Sequence, residues 1–319
     1  MIDQQIGALF VQLAYIGASA AFILGLRGLT KPDTARRGMQ LAAVGMALAI
    51  IGTLLNHEIV SYQFILIGLV VGAAIGLPMG LLVPMTAMPQ RIAVSHMFGA
   101  LAVTLVGIAE FVHYREAVGG PGVVKMVALG FETLFGALTI TGSFMAFGKL
   151  QGFVTGRPVT FPGQKLVNAA VFLGAVALYA ALVLTQSGGA TGDSGLVMFG
   201  LMTALALVIG VTLVLPIGGA DMPVVVSLLN SYAGLAASAT GFAIGNNILI
   251  VAGALDGASG FILSILMSKA MNRSFANVLF GAFGGEKAAA SHKSAEGLTT
   301  RSVTPEEDRK STRLNSSHT

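Results

Sequence analysis

The sequence contains no cysteine and very few charged residues. The missing thiols exclude disulfides, thiolate chemistry and cysteine-ligated metal sites. Only 10% of the 319 residues are Asp, Glu, Lys or Arg, whereas a soluble domain usually has about 25%. The formal charge of +4 does not indicate a nucleic-acid-binding protein, so the cations are interpreted first as signals of membrane topology.

Common nucleotide- and metal-binding patterns are also missing. The sequence has no GxGxxG after a strand, no GxxxxGKS/T, no HExxH and no EF-hand loop. The residues themselves therefore offer no nucleotide, metal or nucleophile site.

Long apolar segments fill most of the chain. Hydrophobic residues make up 55% of the sequence, and the mean hydropathy is +0.82. Because about 20 apolar residues in a helix cross about 30 Å of hydrocarbon, we predict an all-α integral membrane protein with about nine transmembrane helices. The predicted spans are 5–26, 39–55, 64–83, 91–112, 126–147, 166–185, 196–216, 223–243 and 248–268.

The cations are distributed unevenly over the predicted loops. The loops after the first, third and fifth spans and the exit of the ninth hold ten, whereas the opposite loops hold only Arg115 and Lys125. Because Lys and Arg accumulate in cytoplasmic loops, we expect the N-terminus outside and the C-terminus in the cytoplasm. The ten cations are Arg27, Lys31, Arg36, Arg37, Arg91, Lys149, Arg157, Lys165, Lys269 and Arg273.

The composition changes near residue 285. All predicted spans lie within residues 1–284, whereas residues 285–319 are rich in Ser, Thr, Lys and Glu and lack apolar periodicity. We predict a transmembrane domain over 1–284 and a polar, disordered linker over 285–319. The ending 310–319 (KSTRLNSSHT) resembles neither linker nor domain, and it is left out of the fold prediction as a candidate addition to the natural sequence.

Two stretches of the sequence resemble each other at a constant offset. Residues 88–102 (MPQRIAVSHMFGALA) align without a gap on residues 222–236 (MPVVVSLLNSYAGLA), and His96 aligns with Asn230. Both stretches enter the membrane from the same predicted side. We therefore interpret them as a parallel repeat about an axis along the membrane normal, with a chance match as the alternative.

Glycines recur every fourth residue in two predicted spans. The third span contains four of them, and the ninth contains Gly253 and Gly257. Because small residues at this spacing let helix backbones approach closely, we expect both glycine stripes to pack tightly against neighbouring helices. The four glycines of the third span are Gly68, Gly72, Gly76 and Gly80.

His96 is the first candidate for chemistry, because it is the one histidine of five that falls within a predicted span. Ionisable side chains inside a bilayer are costly and need a reason. Histidine gains and loses a proton near neutral pH, as a proton relay requires. The structural alternative is a neutral histidine that is hydrogen-bonded to a neighbouring helix.

Three acidic residues, Glu110, Glu132 and Asp256, also fall within predicted spans. All three lie in the outer halves of their helices by the predicted topology, whereas His96 lies in an inner half. We interpret the acids as an outer vestibule that attracts cations and leads inward to His96. The structural alternative is that they pair with cations at the helix ends, Arg115 or Lys125, or that their side chains extend to the membrane interface.

Three further polar residues have candidate roles. Ser143 and Asn230 lie within predicted spans, where they hold water or bridge helices. Asp221 belongs to the segment GGADMP, in a loop without cations. We predict that it caps the eighth helix, since Asp is a preferred N-cap residue, and that it is a candidate contact for a soluble partner.

Six segments resemble the beta subunit of proton-translocating nicotinamide nucleotide transhydrogenases. They span most of residues 1–284 in the expected order, and the predicted number of spans also agrees with this family. The segments are LTKPDTARR (29–37), MTAMPQ (85–90), TGSFMAFGKLQG (141–152), GGADMPVVVSLLNSYAG (218–234), LIVAGA (249–254) and KAMNRS (269–274).

The resemblance implies a proton-conducting membrane domain. In that family, hydride passes from NADH to NADP⁺ in soluble domains, and inward proton movement is coupled to the NADP(H)-binding domain. The resemblance implies that His96 is the protonatable histidine of the channel and that Ser143 and Asn230 belong to the same path. It also implies that Asp221 faces the NADP(H)-binding domain and that Arg273 lies where the last helix hands over to it.

The resemblance also implies partners and a location. We expect an alpha subunit with the NAD(H)-binding domain and additional membrane helices, a dimer of protomers, and the bacterial cytoplasmic (inner) membrane. The chain stops before the NADP(H)-binding domain, so no cofactor is expected in it. NAD(H) and NADP(H) would bind elsewhere in the complete complex, and the chain alone is not expected to transfer hydride.

Two alternative functions remain at this point. A proton-coupled secondary transporter of a small solute would need a central polar substrate site, and the predicted spans contain few polar residues. A non-conducting scaffold would only anchor soluble subunits, and replacing His96 would then change nothing.

Overall fold

The described part of the computed structural model consists of residues 2–55, 61–115, 121–186, 192–272 and 274–275. Within these ranges every regular element is a helix, and nine helices are long and apolar enough to cross a membrane. The predicted all-α class and number of spans are therefore confirmed. The helices are α1 (Ile2–Gly28), α2 (Pro32–Leu54), α3 (Gln63–Leu81), α4 (Met88–Arg115), α5 (Val123–Gln151), α6 (Gln164–Gln186), α7 (Asp193–Val214), α8 (Met222–Ile244) and α9 (Asn247–Ala270).

Helix α5 lies at the centre of the bundle, in contact with α4, α6, α7 and α8. Two of its glycines make this close packing possible. A Cβ atom at Gly142 would lie 2.9 Å from Leu229 of α8, and a Cβ at Gly136 would collide with Thr104 of α4. The helix ends at Gly152, whose φ of 87° lies in the left-handed region that glycine adopts readily.

Helices α8 and α9 form a closely packed antiparallel hairpin. A Cβ atom at Gly253 would lie 2.7 Å from the carbonyl oxygen of Gly234, so the two backbones nearly touch. The hydroxyl of Ser231 donates across the interface to the carbonyl oxygen of Gly257 over 2.7 Å. Glycines therefore provide the approach and a serine adds a hydrogen bond, as is common between membrane helices.

The glycine stripe of α3 behaves differently from that of α9. Within the described part of the chain, a Cβ atom at any of its four stripe glycines would have nothing within 4 Å, and α3 has no buried residue. The expectation of tight packing is right for Gly253 and Gly257 and wrong for α3. Four-residue spacing creates a smooth helix face, but it does not determine whether another helix of the same chain covers that face.

The two stretches of the proposed repeat have the same local structure. A short 3-10 turn, Met85–Ala87 or Gly219–Asp221, precedes each helix, and each helix then begins with Met-Pro. Proline is tolerated there because the first turn has no intrahelical acceptor for its nitrogen. His96 and Asn230 consequently occupy the same position in α4 and α8, two helices that pack against each other.

Gly253→Ala is expected to lower the melting temperature of the detergent-purified chain, because the added methyl group would press on the backbone of α8. Overpacking of this kind typically costs about 1–3 kcal/mol. Gly72→Ala is the matched control: it adds the same group to a transmembrane glycine of α3 that has open space. Equal melting temperatures for Gly253→Ala and the parent in scanning fluorimetry would contradict the α8–α9 packing.

Candidate functional site

His96, Asn230 and Asp256 form a hydrogen-bonded group contributed by α4, α8 and α9. The Nδ2 atom of Asn230 donates to Oδ1 of Asp256 over 3.1 Å, and the Asn230 side chain is also hydrogen-bonded to His96. His96 and Asn230 are half-buried, and Asp256 lies on the exposed flank of α9. The structure therefore groups Asp256, which the predicted topology placed in the outer half of its helix, with His96 and Asn230, which it placed in inner halves.

The contact between α8 and α9 holds Asn230 in place. A Cβ atom at Gly260 would lie 2.8 Å from Nδ2 of Asn230, so only glycine leaves room for the amide in this position. The hydroxyls on either side of Asn230 fix the register of the two helices. Ser227 donates to the carbonyl oxygen of Gly260 over 3.0 Å, and Ser231 donates to that of Gly257 over 2.7 Å.

A second polar group lies further along the bundle, around Glu132. The Glu132 side chain is fully buried on α5, beside Thr240 of α8 and near Glu110 of α4. Its Oε1 atom occupies the space where a side chain on Gly107 would lie. The structure thus brings two of the three predicted vestibule acids together and places the third, Asp256, in the other group.

The surroundings of Glu132 suit a carboxyl group that carries a proton. The Thr240 hydroxyl donates to the carbonyl oxygen of Ala236 over 3.1 Å, so its remaining lone pairs are what it can offer to a protonated Glu132. Neither carboxyl oxygen has a hydrogen-bond donor among the described residues. An ionised carboxylate without donor or cation would be costly to bury.

The predicted pairing of the acids with cations at the helix ends is not found among the described side chains. Lys125 instead lies over the ring of Tyr114, with Nζ 3.8 Å from the ring centroid. The side chain of the other proposed partner, Arg115, lies outside the described residues.

The two polar groups follow the same helix faces. His96 and Glu110 are fourteen residues apart on α4, and Ser143 and Glu132 are eleven apart on α5. These separations are close to four and three full helical turns, so each pair lies on one face of its helix, roughly 17–21 Å apart along the axis. The faces of α4 and α5 therefore connect the two groups.

Ser143 lies on α5, which packs against both α4 and α8. The side chain is fully buried, and its hydroxyl makes no hydrogen bond within the described part of the chain. Its neighbour Gly142 packs on Leu229, which precedes Asn230. Ser143 and Asn230, which the resemblance assigned to one path, thus lie on facing helices.

Lys149 is a buried residue that sequence reasoning counted only as a topology signal. Its Nζ atom donates to the carbonyl oxygens of Leu215 and Ile217, over 2.5 and 2.7 Å. These carbonyls follow the C-terminus of α7, where a helix presents partial negative charge. The sequence signal was a lysine at the end of a long apolar helix, but the partner carbonyls could not be identified from it.

Asp221 occupies the N-cap position of α8, as predicted, but its side chain makes no capping hydrogen bond. An N-cap residue usually has extended backbone angles that direct its side chain back to the helix amides. Asp221 has φ −92° and ψ 0°, because it also closes the preceding 3-10 turn. The predicted position of Asp221 is therefore right, but the predicted hydrogen bond from its side chain to the start of α8 is wrong. Arg273 lies outside the described residues.

The fold and the two polar groups define a polytopic helical membrane protein with ionisable residues inside its bundle. The family model described as NAD(P) transhydrogenase beta subunit matches residues 11–318. The chain therefore belongs to the NAD(P) transhydrogenase beta subunit family, as the resemblance indicated.

Curated relatives agree with this assignment. The NAD(P) transhydrogenase subunit beta of Rhodospirillum rubrum is 42% identical over 288 residues, which cover 89% of this chain and 60% of the relative. The protein of the same name from one strain of that organism matches to the same extent. The chain thus spans 60% of the length of these curated relatives.

Lys149→Met is expected to loosen the segment 215–221, because two carbonyls lose their cationic donor. A hydrogen bond to a charged group contributes about 1.5–3 kcal/mol, so amide exchange in this segment should become at least about tenfold faster. Hydrogen-exchange mass spectrometry of peptides containing Ile217 and Asp221 measures the change. Lys31→Met, at an exposed lysine before α2, is the control, and unchanged exchange in Lys149→Met would contradict the anchoring role.

Proposed function

We propose that this chain is the proton-conducting membrane domain of an NAD(P) transhydrogenase. In the complete complex, inward proton movement would be coupled to hydride transfer from NADH to NADP⁺. The observation that carries the proposal is the hydrogen bond between His96 and Asn230. Both residues lie within a helix bundle in which the described residues form nine helices long enough to cross a membrane. Family membership supports the proton-conducting function over a small-solute transporter.

His96 is the residue that binds and releases the proton. Its Nδ1 atom is buried without a hydrogen-bond partner among the described residues, while the side chain is held by Asn230. Asn230 orients the imidazole, and Ser143 presents a buried hydroxyl from the facing helix. These three positions form the inner part of the proton path.

Glu132 and Glu110 form the outer part of the path. The carboxyl of Glu132 lies on the same face of α5 as Ser143, and Glu110 lies on the same face of α4 as His96. Two neighbouring carboxyl groups without an ion pair among the described residues attract a proton between them. This part of the path is the vestibule expected from the sequence, without Asp256.

Coupling to nucleotide occupancy takes place at the other end of the bundle. Asp221 begins α8, the helix that carries Asn230, and Lys149 holds the segment that leads to it. Asp221 and Arg273 would face the NADP(H)-binding domain. The cofactors NAD(H) and NADP(H) would bind to soluble domains of the complex and not to this chain.

The complex that contains this chain has further components. Membership of the beta subunit family implies alpha-subunit partners. The alpha subunit would supply the NAD(H)-binding domain and additional membrane helices, and two protomers would form a dimer. The complex would lie in a bacterial inner membrane, and the cation-rich loops favour an orientation with the N-terminus outside and the C-terminus in the cytoplasm.

His96→Asn is expected to abolish proton pumping while nucleotide binding remains, because an amide cannot take up a proton at neutral pH. The complete transhydrogenase that contains this chain is reconstituted in liposomes, and proton uptake or release is recorded during hydride transfer between NADPH and an NAD⁺ analogue. Loss of a proton-transfer group predicts a decrease of about a hundredfold or more.

His113→Asn is the matched control for this experiment, because His113 is exposed near the far end of α4. It should pump like the parent. If His96→Asn pumps at the parental rate, the proton uses another path. If the parent transfers no hydride, the proposed function itself is wrong.

Glu132→Gln is expected to slow proton-coupled hydride transfer about tenfold, the effect of about 1.4 kcal/mol, because the amide keeps the size of the side chain but has no titratable proton. Asp193→Asn, at the exposed start of α7, is the control. Access is tested separately with Thr133→Cys, since the sequence contains no cysteine. A thiol there that never reacts with an impermeant reagent from the predicted outer side would contradict the vestibule.

A further inference from the structure

The position of Asp256 is not explained by the vestibule. Asp256 lies near the middle of α9, and its side chain accepts a hydrogen bond from Nδ2 of Asn230 over 3.1 Å. Among the described residues it makes no ion pair, and its carboxyl group has no hydrogen bond other than the one from this amide. A carboxyl group at mid-helix in a membrane protein is costly, so the residue to which Asp256 is hydrogen-bonded indicates the role of the carboxyl group.

The hydrogen bonds through Asn230 have a defined direction. A carboxylate only accepts hydrogen bonds, so the amide nitrogen of Asn230 must face Asp256. The amide oxygen is then the atom available to His96, and it accepts from an imidazole N–H. The amide dipole therefore has its negative end at His96 and its positive end at Asp256, which favours a cation at His96 and an anion at Asp256.

Gly260 and Ser231 make this direction a property of the fold. The Asn230 amide nitrogen lies where a side chain on Gly260 would be, 2.8 Å from the Cβ position. Ser231, the next residue, is bonded to the carbonyl oxygen of Gly257 over 2.7 Å. Asn230 therefore has little freedom to turn away from Asp256.

Asp256 is the nearest candidate counter-ion for His96. Among the described side chains of α1, α4, α5, α8 and α9, the other carboxyl groups are Glu110, about four turns from His96 on α4, and Glu132, which lies near Glu110 on α5. None of the other titratable groups on these helices is hydrogen-bonded to His96 or Asp256 in the described structure. These groups are Tyr15, Arg27, Arg91, Glu110, His113, Tyr114, Lys125, Glu132, Lys149, Tyr232 and Lys269.

Asp256 also lines an open cavity of about 340 Å³ between α1, α2, α8 and α9. Asp256 and Ser259 are its polar lining residues, and the remainder of the lining is apolar. The cavity therefore brings no charged side chain to Asp256. The Asn230–His96 pair is left as the polar partner that balances the carboxylate.

We propose that Asp256 is the counter-ion of protonated His96 and acts through the oriented amide of Asn230. When His96 takes up a proton on its free nitrogen, the imidazolium and the Asp256 carboxylate form a neutral pair that is bridged by Asn230. When the proton leaves, His96 becomes neutral and the ion pair with Asp256 is lost. Asp256 is thus a positioning residue for proton uptake, and the proposal rests on the proposed function of His96.

Asp256→Asn in the complete, reconstituted transhydrogenase tests this proposal. The variant keeps the size of the side chain but removes its charge. The pH at which His96-dependent pumping is half-maximal is expected to move by about one unit toward acid, so that pumping at slightly alkaline pH falls about tenfold. Asp256→Glu, which keeps the charge, should recover most of the parental pH profile.

Asp193→Asn is the control for the loss of a carboxylate elsewhere, and its pH profile should be that of the parent. An unchanged profile in folded Asp256→Asn would overturn the counter-ion role while leaving His96 as the proton carrier. A parental pumping rate in His96→Asn would instead overturn the role of His96, and a parent complex that transfers no hydride would overturn the proposed function, so the failures are distinguishable.

Infrared difference spectroscopy of the unmodified complex decides the question if Asp256→Asn does not fold. In a complex labelled with carbon-13 aspartate, lowering the pH until His96 becomes protonated should perturb an aspartate carboxylate band. The same pH change should leave this band unperturbed in His96→Asn. The absence of any aspartate signal linked to His96 would overturn the proposal.

Discussion

The hydrocarbon interior cannot satisfy polar groups, and this constraint explains most features of the bundle. Each side-chain hydroxyl, amide or charge within it must find a partner in the protein or carry a high cost. Ser231 donates to a carbonyl of the neighbouring helix, and Lys149 donates to two carbonyls beyond the end of α7. Ser143, Thr133 and Glu132 are buried without such a partner among the described residues, so their hydroxyl and carboxyl groups remain available for transfer of a proton.

The internal repeat explains how His96 and Asn230 come to lie together. In each stretch a 3-10 turn leads into a helix that begins with Met-Pro. His96 and Asn230 are the ninth residues of these helices, so they lie at the same depth. Since α4 and α8 pack against each other, two equivalent positions become neighbours. One position holds a group that titrates and the other holds an amide that does not, so the pair has a proton carrier on one side only.

The sequence was sufficient for the fold class and for part of the site. Apolar length predicted nine spans, and the cost of a buried ionisable group singled out His96. It could not predict that Asp256 bonds to Asn230, because that contact depends on the register that Ser227, Ser231 and Gly260 impose on α8 and α9. For the same reason it could not distinguish the packed glycines of α9 from the open stripe of α3, since spacing defines a helix face but not its neighbour.

Helix α8 connects the parts of the structure to which the proposal assigns different tasks. Asp221 begins it, Asn230 bonds to both His96 and Asp256, and Thr240 lies beside Glu132. No other element in the described part of the chain contacts all three regions through such side chains. A helix is stiff along its axis, and the glycine contacts with α9 leave little room for bending. Any shift of α8 that starts at Asp221 must therefore alter the surroundings of both polar groups together, which is the geometry that coupling between nucleotide occupancy and proton access requires.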